Sequence, residues 1–262
     1  MSTPIERWYT YICPDNEAEY LPGLRQTLAF RYHLWREIRS LRSRKDFMRM
    51  GRDSSTFLRG RLSSLRPLLK DPFAVFSAAW FAQRLNCKVV ITVRHPAAFA
   101  SSLKRLDWSF QFEDLLAQPL LMRDLLNPYR VDIEAALDQD IISQASLLWK
   151  MIYQIAEKLC QENPEFIIVR HEDLSLEPLG GFQRLYDTLG LTFNRRARQA
   201  ILDSSSSENP SESSGQAIHA FKLDSRANLQ RWKKRLTPDE VQRIYQLTSE
   251  TAAPYYSGDS WE

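Results

Sequence analysis

The chain has 262 residues, of which 44% are apolar and 11% are aromatic, and its formal net charge is +3. This length and composition predict one large, folded α/β domain and exclude an intrinsically disordered chain. No apolar run approaches the roughly 20 residues that a membrane-spanning helix needs, and the first residues lack the pattern of a signal peptide. The cytoplasm is therefore the expected location.

The cysteines and histidines exclude two further classes of protein. Cys13, Cys87 and Cys160 are far apart and odd in number, so they form neither a CxxC pair nor a disulfide framework. The four histidines show no spacing that is typical of metal ligands. We therefore expect free thiols and no bound metal.

The N-terminal part of the chain is strongly basic. Between Arg25 and Lys70 there are thirteen lysines and arginines against three acidic residues, a net charge of +10 in this stretch. Aromatic residues are interleaved with these charges, which would suit nucleic acid or another anionic partner. A solvated helical face is the more ordinary interpretation, and the sequence has no RRM, KH or zinc signature. Residues 1–66 are thus predicted to form a basic helical region.

Three short apolar runs predict buried parallel strands, at Pro67–Lys70, Lys88–Val93 and Phe166–Arg170. The middle run is rich in β-branched residues, which favour strands. Apolar residues between Leu147 and Leu159 recur at helical spacing, and Asn163-Pro164 ends that helix before the third strand. Strands that alternate with helices predict a mostly parallel, helix-covered sheet over residues 67–200.

The last part of the chain is predicted to contain a loop and a helix. Ser204–Gln216 has no apolar residue, so residues 201–221 are predicted to form a mobile loop within the domain. Thr237-Pro238-Asp239-Glu240 has the pattern of a capping box with proline at the first helical position. It predicts a helix through about Thr251. Residues 222–262 complete a single predicted domain over residues 1–262.

A cation and a hydroxyl follow the middle strand. Arg94 stands at its end, and Pro96 begins a helix at once. Ligands gather at the carboxyl ends of parallel strands, and a helix N-terminus attracts anions through its N–H groups. Arg94 offers a planar fork for phosphate oxygens, and Ser102 lies on a helix face from which its hydroxyl can point back to the strand end. A structural salt bridge of Arg94 is the alternative.

The segment from Arg94 to Ser102 resembles the 3′-phosphate signature of sulfotransferases that use 3′-phosphoadenosine-5′-phosphosulfate (PAPS). In that signature a strand-end arginine is followed by a proline and, eight positions after the arginine, by a serine. Three further elements match in the family's order, namely LLKDP, IIVRHEDLSLEPL with FQRLYDTLGLTF, and DSRANLQRWKKRLTPDEV. The resemblance covers residues from about Pro67 to Tyr256 and implies a sulfotransferase-type α/β fold with a P-loop-like parallel sheet.

The resemblance also implies roles for individual residues. Those implied to bind the nucleotide are Arg94, Ser102, His171, Ser225 and Arg226, with His171 near the adenine. Lys70, at the end of the first predicted strand, would contact the transferring sulfonate and is the catalytic candidate. Plain structural roles stay open for Glu172-Asp173 as a turn cap, for His171 as a structural histidine and for Trp232 as a core anchor.

The sequence departs from the family pattern in two places. Family members carry a glycine- and Ser/Thr-rich loop after their first strand, which holds the 5′-phosphosulfate, and no such loop precedes Lys70. Either the chain starts after that strand and loop or the loop has been lost, and we expect the late start. Pro72 stands where cytosolic members have a histidine, so no general base is assigned.

The implied activity is transfer of a sulfonate from PAPS to an acceptor hydroxyl or amine, with 3′,5′-ADP (PAP) as the second product and no metal. The basic region predicts a polar or anionic acceptor. The alternative is a non-catalytic remnant that binds a 3′-phosphoadenosine nucleotide and keeps only the 3′-phosphate site. A nucleic-acid-binding protein that uses residues 25–70 is a third possibility, disfavoured for want of a signature. The sequence assigns no oligomeric state.

Overall fold

A computed structural model describes residues 5, 7–31, 43–63, 65–211 and 222–261. They belong to two units, Met1–Leu85 and Asn86–Glu262, which we take in turn. The single domain over residues 1–262 stays a prediction. Residues 32–42 of the basic stretch and residues 212–221 of the predicted loop lie outside the described residues.

The N-terminal unit is helical in its described part. Its helices are α1 (Glu17–Leu28), α2 (Arg44–Leu62) and α3 (Ala78–Leu85), and a 3-10 turn at Val75–Ser77 leads into α3. Ile12, Leu24 and Trp80 pack together in a small core. The Trp80 indole also donates to Glu17 Oε2 at 2.8 Å, which ties α3 to α1.

The predicted strand at Pro67–Lys70 is wrong. These residues lie outside helices and strands, and Leu68 is 87% exposed. A parallel strand needs a bonded neighbour and cover on its faces. This run contains no β-branched residue, and Pro67 has no amide proton to donate. Its two leucines therefore gave a misleading signal of burial.

The C-terminal unit contains a small parallel sheet surrounded by helices. β1 (Val90–Val93) pairs in parallel with β2 (Ile167–Arg170), in a register that sets Val90 beside Ile167 and Val93 beside Arg170. The predicted strands at Lys88–Val93 and Phe166–Arg170 are thus confirmed, slightly shortened. The longer helices of this unit are α4 (Pro96–Leu106), α8 (Ile141–Glu162), α10 (Pro178–Thr188), α11 (Arg195–Ser205) and α14 (Pro238–Ala252).

Shorter helical segments connect these elements. They are α5 (Glu113–Leu116), α6 (Pro119–Leu121), α7 (Arg130–Ala136), α9 (His171–Leu176), α12 (Ser225–Leu229) and α13 (Trp232–Arg235). A π turn at Met122–Leu126 and a 3-10 turn at Asn127–Tyr129 lie between α6 and α7, and a 3-10 turn at Gly258–Trp261 follows α14.

The main core lies where α4, α8 and α14 pack together. Its buried members include Ala97, Ala98 and Ala100 of α4, Ile142 and Ala145 of α8, and Ile244 of α14. Alanines on α4 let the facing helices approach closely. Two predicted helix boundaries are confirmed. Helix α8 ends at Glu162, just before Asn163-Pro164, and α14 begins with a complete capping box between Thr237 and Glu240.

Side chains of α8 close the edge of β1 that faces away from β2. The Ile167 amide donates to the Val89 carbonyl, which therefore points toward β2. Successive carbonyls along a strand point to opposite edges, so those of Thr92 and Arg94 point away from β2. Tyr153 Oη donates to Thr92 O at 3.0 Å, and Trp149 Nε1 donates to Arg94 O at 2.8 Å. These bonds give both carbonyls a partner and hold the end of β1 in place.

Candidate anion-binding site

Arg94 and Ser102 meet at the end of β1. Arg94 directly follows the strand, and Ser102 lies in the second turn of α4. Arg94 Nη1 donates to Ser102 Oγ at 3.0 Å. Helical side chains lean toward the helix N-terminus, which turns this hydroxyl back to the strand end. The carboxyl edge of the sheet therefore presents a cation and a hydroxyl side by side.

The Arg94 side chain is partly buried, and no acidic side chain among the described residues is bonded to it. Within the described ranges, no Asp or Glu forms an ion pair with Arg94. Burial lowers the pKa of Arg94, and the negative charge of Glu172 partly offsets that effect. A partly buried cation without a bonded counter-ion costs free energy, which an anionic ligand would recover.

Glu172 occupies the N-terminus of α4. Its Oε1 accepts the His95 backbone N–H at 2.9 Å, and its Oε2 accepts the Tyr256 hydroxyl at 2.7 Å. A carboxylate at this end of a helix is stabilised by the helix dipole. The sequence suggested that free N–H groups of α4 would attract the ligand. In the structure Glu172 already uses the His95 amide and His95 Nδ1 uses the Ala97 amide, so fewer N–H groups of this end are available than the sequence suggested.

His95 is enclosed by aromatic rings. It is 4% exposed, stacks on Trp232 at 5.3 Å, and meets the rings of Tyr256 and Trp261 edge-on at 4.8 and 4.4 Å. Its Nδ1 accepts the Ala97 N–H at 3.3 Å and so caps α4. Burial lowers the pKa of His95 to about 4. At neutral pH the ring is an uncharged part of the wall behind the site.

His171 is the first residue of α9 and directly follows β2. Its Nδ1 is buried and has no hydrogen-bond partner among the described residues. Burial lowers the pKa of His171, and the charge of Arg94 lowers it further. The imidazole is thus neutral and lies within electrostatic reach of Arg94, so two neighbouring strand ends each contribute a residue to this edge.

Ser225 and Arg226 contact a different part of the unit. Ser225 Oγ donates to the Ser175 carbonyl at 2.9 Å, and the Arg226 guanidinium donates to the Leu176 carbonyl at 3.2 and 2.8 Å. Both residues therefore bind the C-terminal end of α9. Among the described hydrogen bonds, none joins them to Arg94 or Ser102. Their implied contact with the nucleotide stays a prediction.

Lys70 belongs to the N-terminal unit. It is exposed and lies outside helices and strands. Its implied contact with the sulfonate is likewise a prediction. The predicted core anchor Trp232 is 6% exposed and stacks on His95, which agrees with the structural interpretation of this residue.

The sequence analysis missed the residues that position Arg94. Trp149 and Tyr153 reach the end of β1 from consecutive turns of α8, and Glu172 reaches it from the first turn of α9. Tyr256 completes the arrangement by donating to Glu172. A spacing of four between two aromatic residues on the buried face of a helix was the available signal for Trp149 and Tyr153. No local signal marked Tyr256.

An open cavity of about 340 Å³ lies elsewhere in the same unit. Its lining comes from the segment after α4 and from the start of α8, namely Ser109, Phe110, Gln111, Glu113, Leu137, Gln139, Ile141 and Gln144. None of these described residues belongs to the predicted site. The cavity is therefore a feature separate from the Arg94–Ser102 pair.

The described part of the chain contains no group of three or more His, Cys, Asp or Glu side chains that could hold a metal ion. None of its helices combines the length and apolar character that crossing a bilayer requires.

The parallel strands and the covering helices define an α/β protein with a cation and a hydroxyl at one edge of its sheet. A family model described as the sulfotransferase domain matches residues 15–254. The chain therefore belongs to the sulfotransferase domain family, and its helix-rich α/β fold with a small parallel sheet is consistent with that family. Membership places it among the transferases and supports sulfonyl transfer in general.

The other comparisons add little to this family assignment. A search of curated proteins found no match. Among solved structures, the chain is similar to the sulfotransferase domain from the curacin biosynthetic pathway, with 14% sequence identity and a TM-score of 0.43. That likeness covers 86% of this chain and 78% of the other. The family assignment therefore rests on the match of the family model.

Proposed function

We propose that the chain binds the 3′-phosphate of PAPS through Arg94 and Ser102 and transfers a sulfonate to an acceptor hydroxyl or amine. The observation that carries the proposal is the 3.0 Å contact between the guanidinium and the hydroxyl at the end of β1. A phosphate beside this pair would receive hydrogen bonds from both groups. It would also supply the counter-ion that the partly buried Arg94 lacks among the described residues.

The neighbouring groups fit the rest of a 3′-phosphoadenosine nucleotide. His171 is neutral and has a buried, unpartnered Nδ1 among the described residues, which can bind a polar edge of the adenine or ribose. Trp149 and Tyr153 hold the strand end, so Arg94 is positioned before the nucleotide arrives. Such preorganisation lowers the cost of binding.

The chemistry requires charge stabilisation and a proton acceptor. PAPS supplies a sulfur atom that the acceptor oxygen or nitrogen attacks, while the bond from sulfur to the bridging phosphate oxygen breaks and PAP leaves. Negative charge grows on that phosphate, where a cation lowers the barrier. We assign this role to Lys70. The acceptor proton goes to a base that the described residues do not yet identify.

Calorimetric titration with 3′,5′-ADP and with 5′-AMP tests the nucleotide site. Arg94→Ala is expected to weaken 3′,5′-ADP binding by about 10- to 100-fold, and Ser102→Ala by about 3- to 10-fold. Binding of 5′-AMP, which has no 3′-phosphate, should change little. Arg196→Ala, which removes an exposed arginine of α11, is the matched control. Equal affinity of wild type and Arg94→Ala for 3′,5′-ADP would contradict the assignment of Arg94 to the 3′-phosphate.

The second candidate function is a non-catalytic protein that binds the nucleotide. It is favoured by one observation: the sequence has no Gly- and Ser/Thr-rich loop of the kind that holds a 5′-phosphosulfate. Incubating the chain with PAPS labelled in its sulfonate separates the two candidates. Label on a hydroxyl or amine acceptor supports transfer. Tight 3′,5′-ADP binding with no labelled product across a panel of acceptors supports the non-catalytic protein.

A further inference from the structure

Helix α2 exposes four large apolar side chains on one face. They are Phe47 (63% exposed), Met48 (75%), Leu58 (59%) and Leu62 (76%). At about 100° of rotation per residue, these positions fall within an arc of about 100°. They form two pairs, Phe47–Met48 and Leu58–Leu62, about 15 Å apart along the helix, with Gly51 and Ser55 between them on the same face. Single exposed apolar residues are ordinary on a protein surface, whereas four that share one helix face indicate an interaction surface. We call these four residues the apolar face of α2.

The other side of α2 is already packed within the N-terminal unit. The Phe57 ring meets the Phe30 ring edge-on at 6.1 Å. Gly60 is buried, and a Cβ added there would lie 2.5 Å from the Phe30 ring. The helix therefore has its own intramolecular contact, made by a side roughly opposite the apolar face. The apolar face is an additional surface.

Arginines border the apolar face on both sides. Arg52 and Arg59 follow it around the helix in one direction and Arg61 in the other, and all three are exposed. Residues 44–70 contain eight basic and two acidic residues, a net charge of +6. Arginine can lay its aliphatic stem along apolar surface while its charged head stays in water. An apolar face with a cationic border is the pattern of helices that lie in a membrane interface.

We propose that α2 docks on the surface of an anionic lipid bilayer, with its apolar face in the headgroup boundary and its arginines among the lipid headgroups. An anionic bilayer satisfies both halves of this surface at once, because it offers negative charge and an apolar layer along the whole length of a 19-residue helix. Nucleic acid would neutralise the arginines but leave the four apolar side chains in water. The inference is independent of the nucleotide site.

Flotation of the purified full chain with vesicles tests the proposal. Wild type is expected to float with phosphatidylcholine vesicles that contain 30% phosphatidylserine, and to do so much less with pure phosphatidylcholine. Leu58→Ser combined with Leu62→Ser should reduce the partition coefficient at least tenfold. Arg52→Gln combined with Arg59→Gln should reduce it about fivefold for each arginine removed. Raising the salt to 0.5 M should weaken wild-type binding.

Matched control variants distinguish binding through α2 from non-specific binding through other exposed side chains. Arg196→Gln with Arg198→Gln removes two charges from α11, and Val131→Ser removes an apolar side chain of α7 that is 76% exposed. Both controls should float like wild type. Circular dichroism at 222 nm and the thermal midpoint should be unchanged in every variant, because all the substituted side chains are exposed.

Three results would overturn the proposal. The first is equal flotation with neutral and anionic vesicles, or no flotation with either. The second is tighter binding to a 20-mer RNA duplex than to vesicles, unaffected by the two leucine substitutions. The third is a dimer in sedimentation velocity that the same leucine substitutions convert to monomer, since a second copy of the chain would then cover the apolar face.

Discussion

The buried histidine at the N-terminus of α4 should make the protein lose stability in mild acid. His95 is 4% exposed, is surrounded by three aromatic rings, and uses Nδ1 to accept the Ala97 N–H. Protonation would place a charge among these rings and put a proton on the atom that caps α4. The neutral ring is therefore strongly favoured in the folded state, where the pKa is about 4.

The size of the effect follows from the two pKa values of His95. In the unfolded chain the pKa is close to 6.5, so both states are neutral at pH 8 and the residue has no effect on stability there. As the pH falls below about 6.5, the unfolded chain takes up the proton first, and the free energy of unfolding decreases. With a folded pKa of about 4, the loss is about 2 kcal/mol at pH 5 and approaches about 3 kcal/mol at pH 4.

Urea unfolding between pH 8 and pH 5, followed by tryptophan fluorescence, measures this loss. The comparison is with His95→Asn, which stays neutral at every pH and keeps a side-chain oxygen for the Ala97 N–H. The variant is less stable at pH 8 because it loses the ring contacts. The difference in the free energy of unfolding between wild type and the variant should be smaller at pH 5 than at pH 8 by about 2 kcal/mol. His171 is present in both proteins, so its contribution to the pH dependence of stability cancels when the two are compared. Parallel pH profiles for the two proteins would refute the reasoning.

Two further predictions concern the strand end and the candidate catalytic residue. Trp149→Phe removes the indole donor that lies 2.8 Å from the Arg94 carbonyl. It should lower the free energy of unfolding by about 1–3 kcal/mol and weaken 3′,5′-ADP binding, because a buried acceptor loses its partner and Arg94 is less firmly held. A urea midpoint and a dissociation constant equal to those of wild type would contradict this. Lys70→Met should leave 3′,5′-ADP affinity unchanged and slow transfer from PAPS by about 10²- to 10³-fold. Lys158→Met, at an exposed lysine of α8, is its control, and an unchanged transfer rate in Lys70→Met would remove Lys70 from the proposed role.

Local patterns in the sequence predicted the elements that carry the site. The β-branched run before Arg94 predicted β1, and Pro96 predicted the start of α4. The spacing of eight from Arg94 to Ser102 placed the hydroxyl two turns along that helix, on a face from which it can reach the guanidinium. Such spacings are reliable because the residues lie within one strand, one turn and one helix, whose geometry is nearly constant.

Only the tertiary structure decided what surrounds that pair. Glu172, Trp149 and Tyr256 reach the same strand end from three separate elements, and no spacing along the chain relates them to Arg94. The run Pro67–Lys70 shows the converse, since its leucines suggested a buried strand and the structure leaves it exposed. The apolar character of a segment shows that it can be buried. Whether it is buried, and against which other segment, depends on the packing of residues that are distant in sequence.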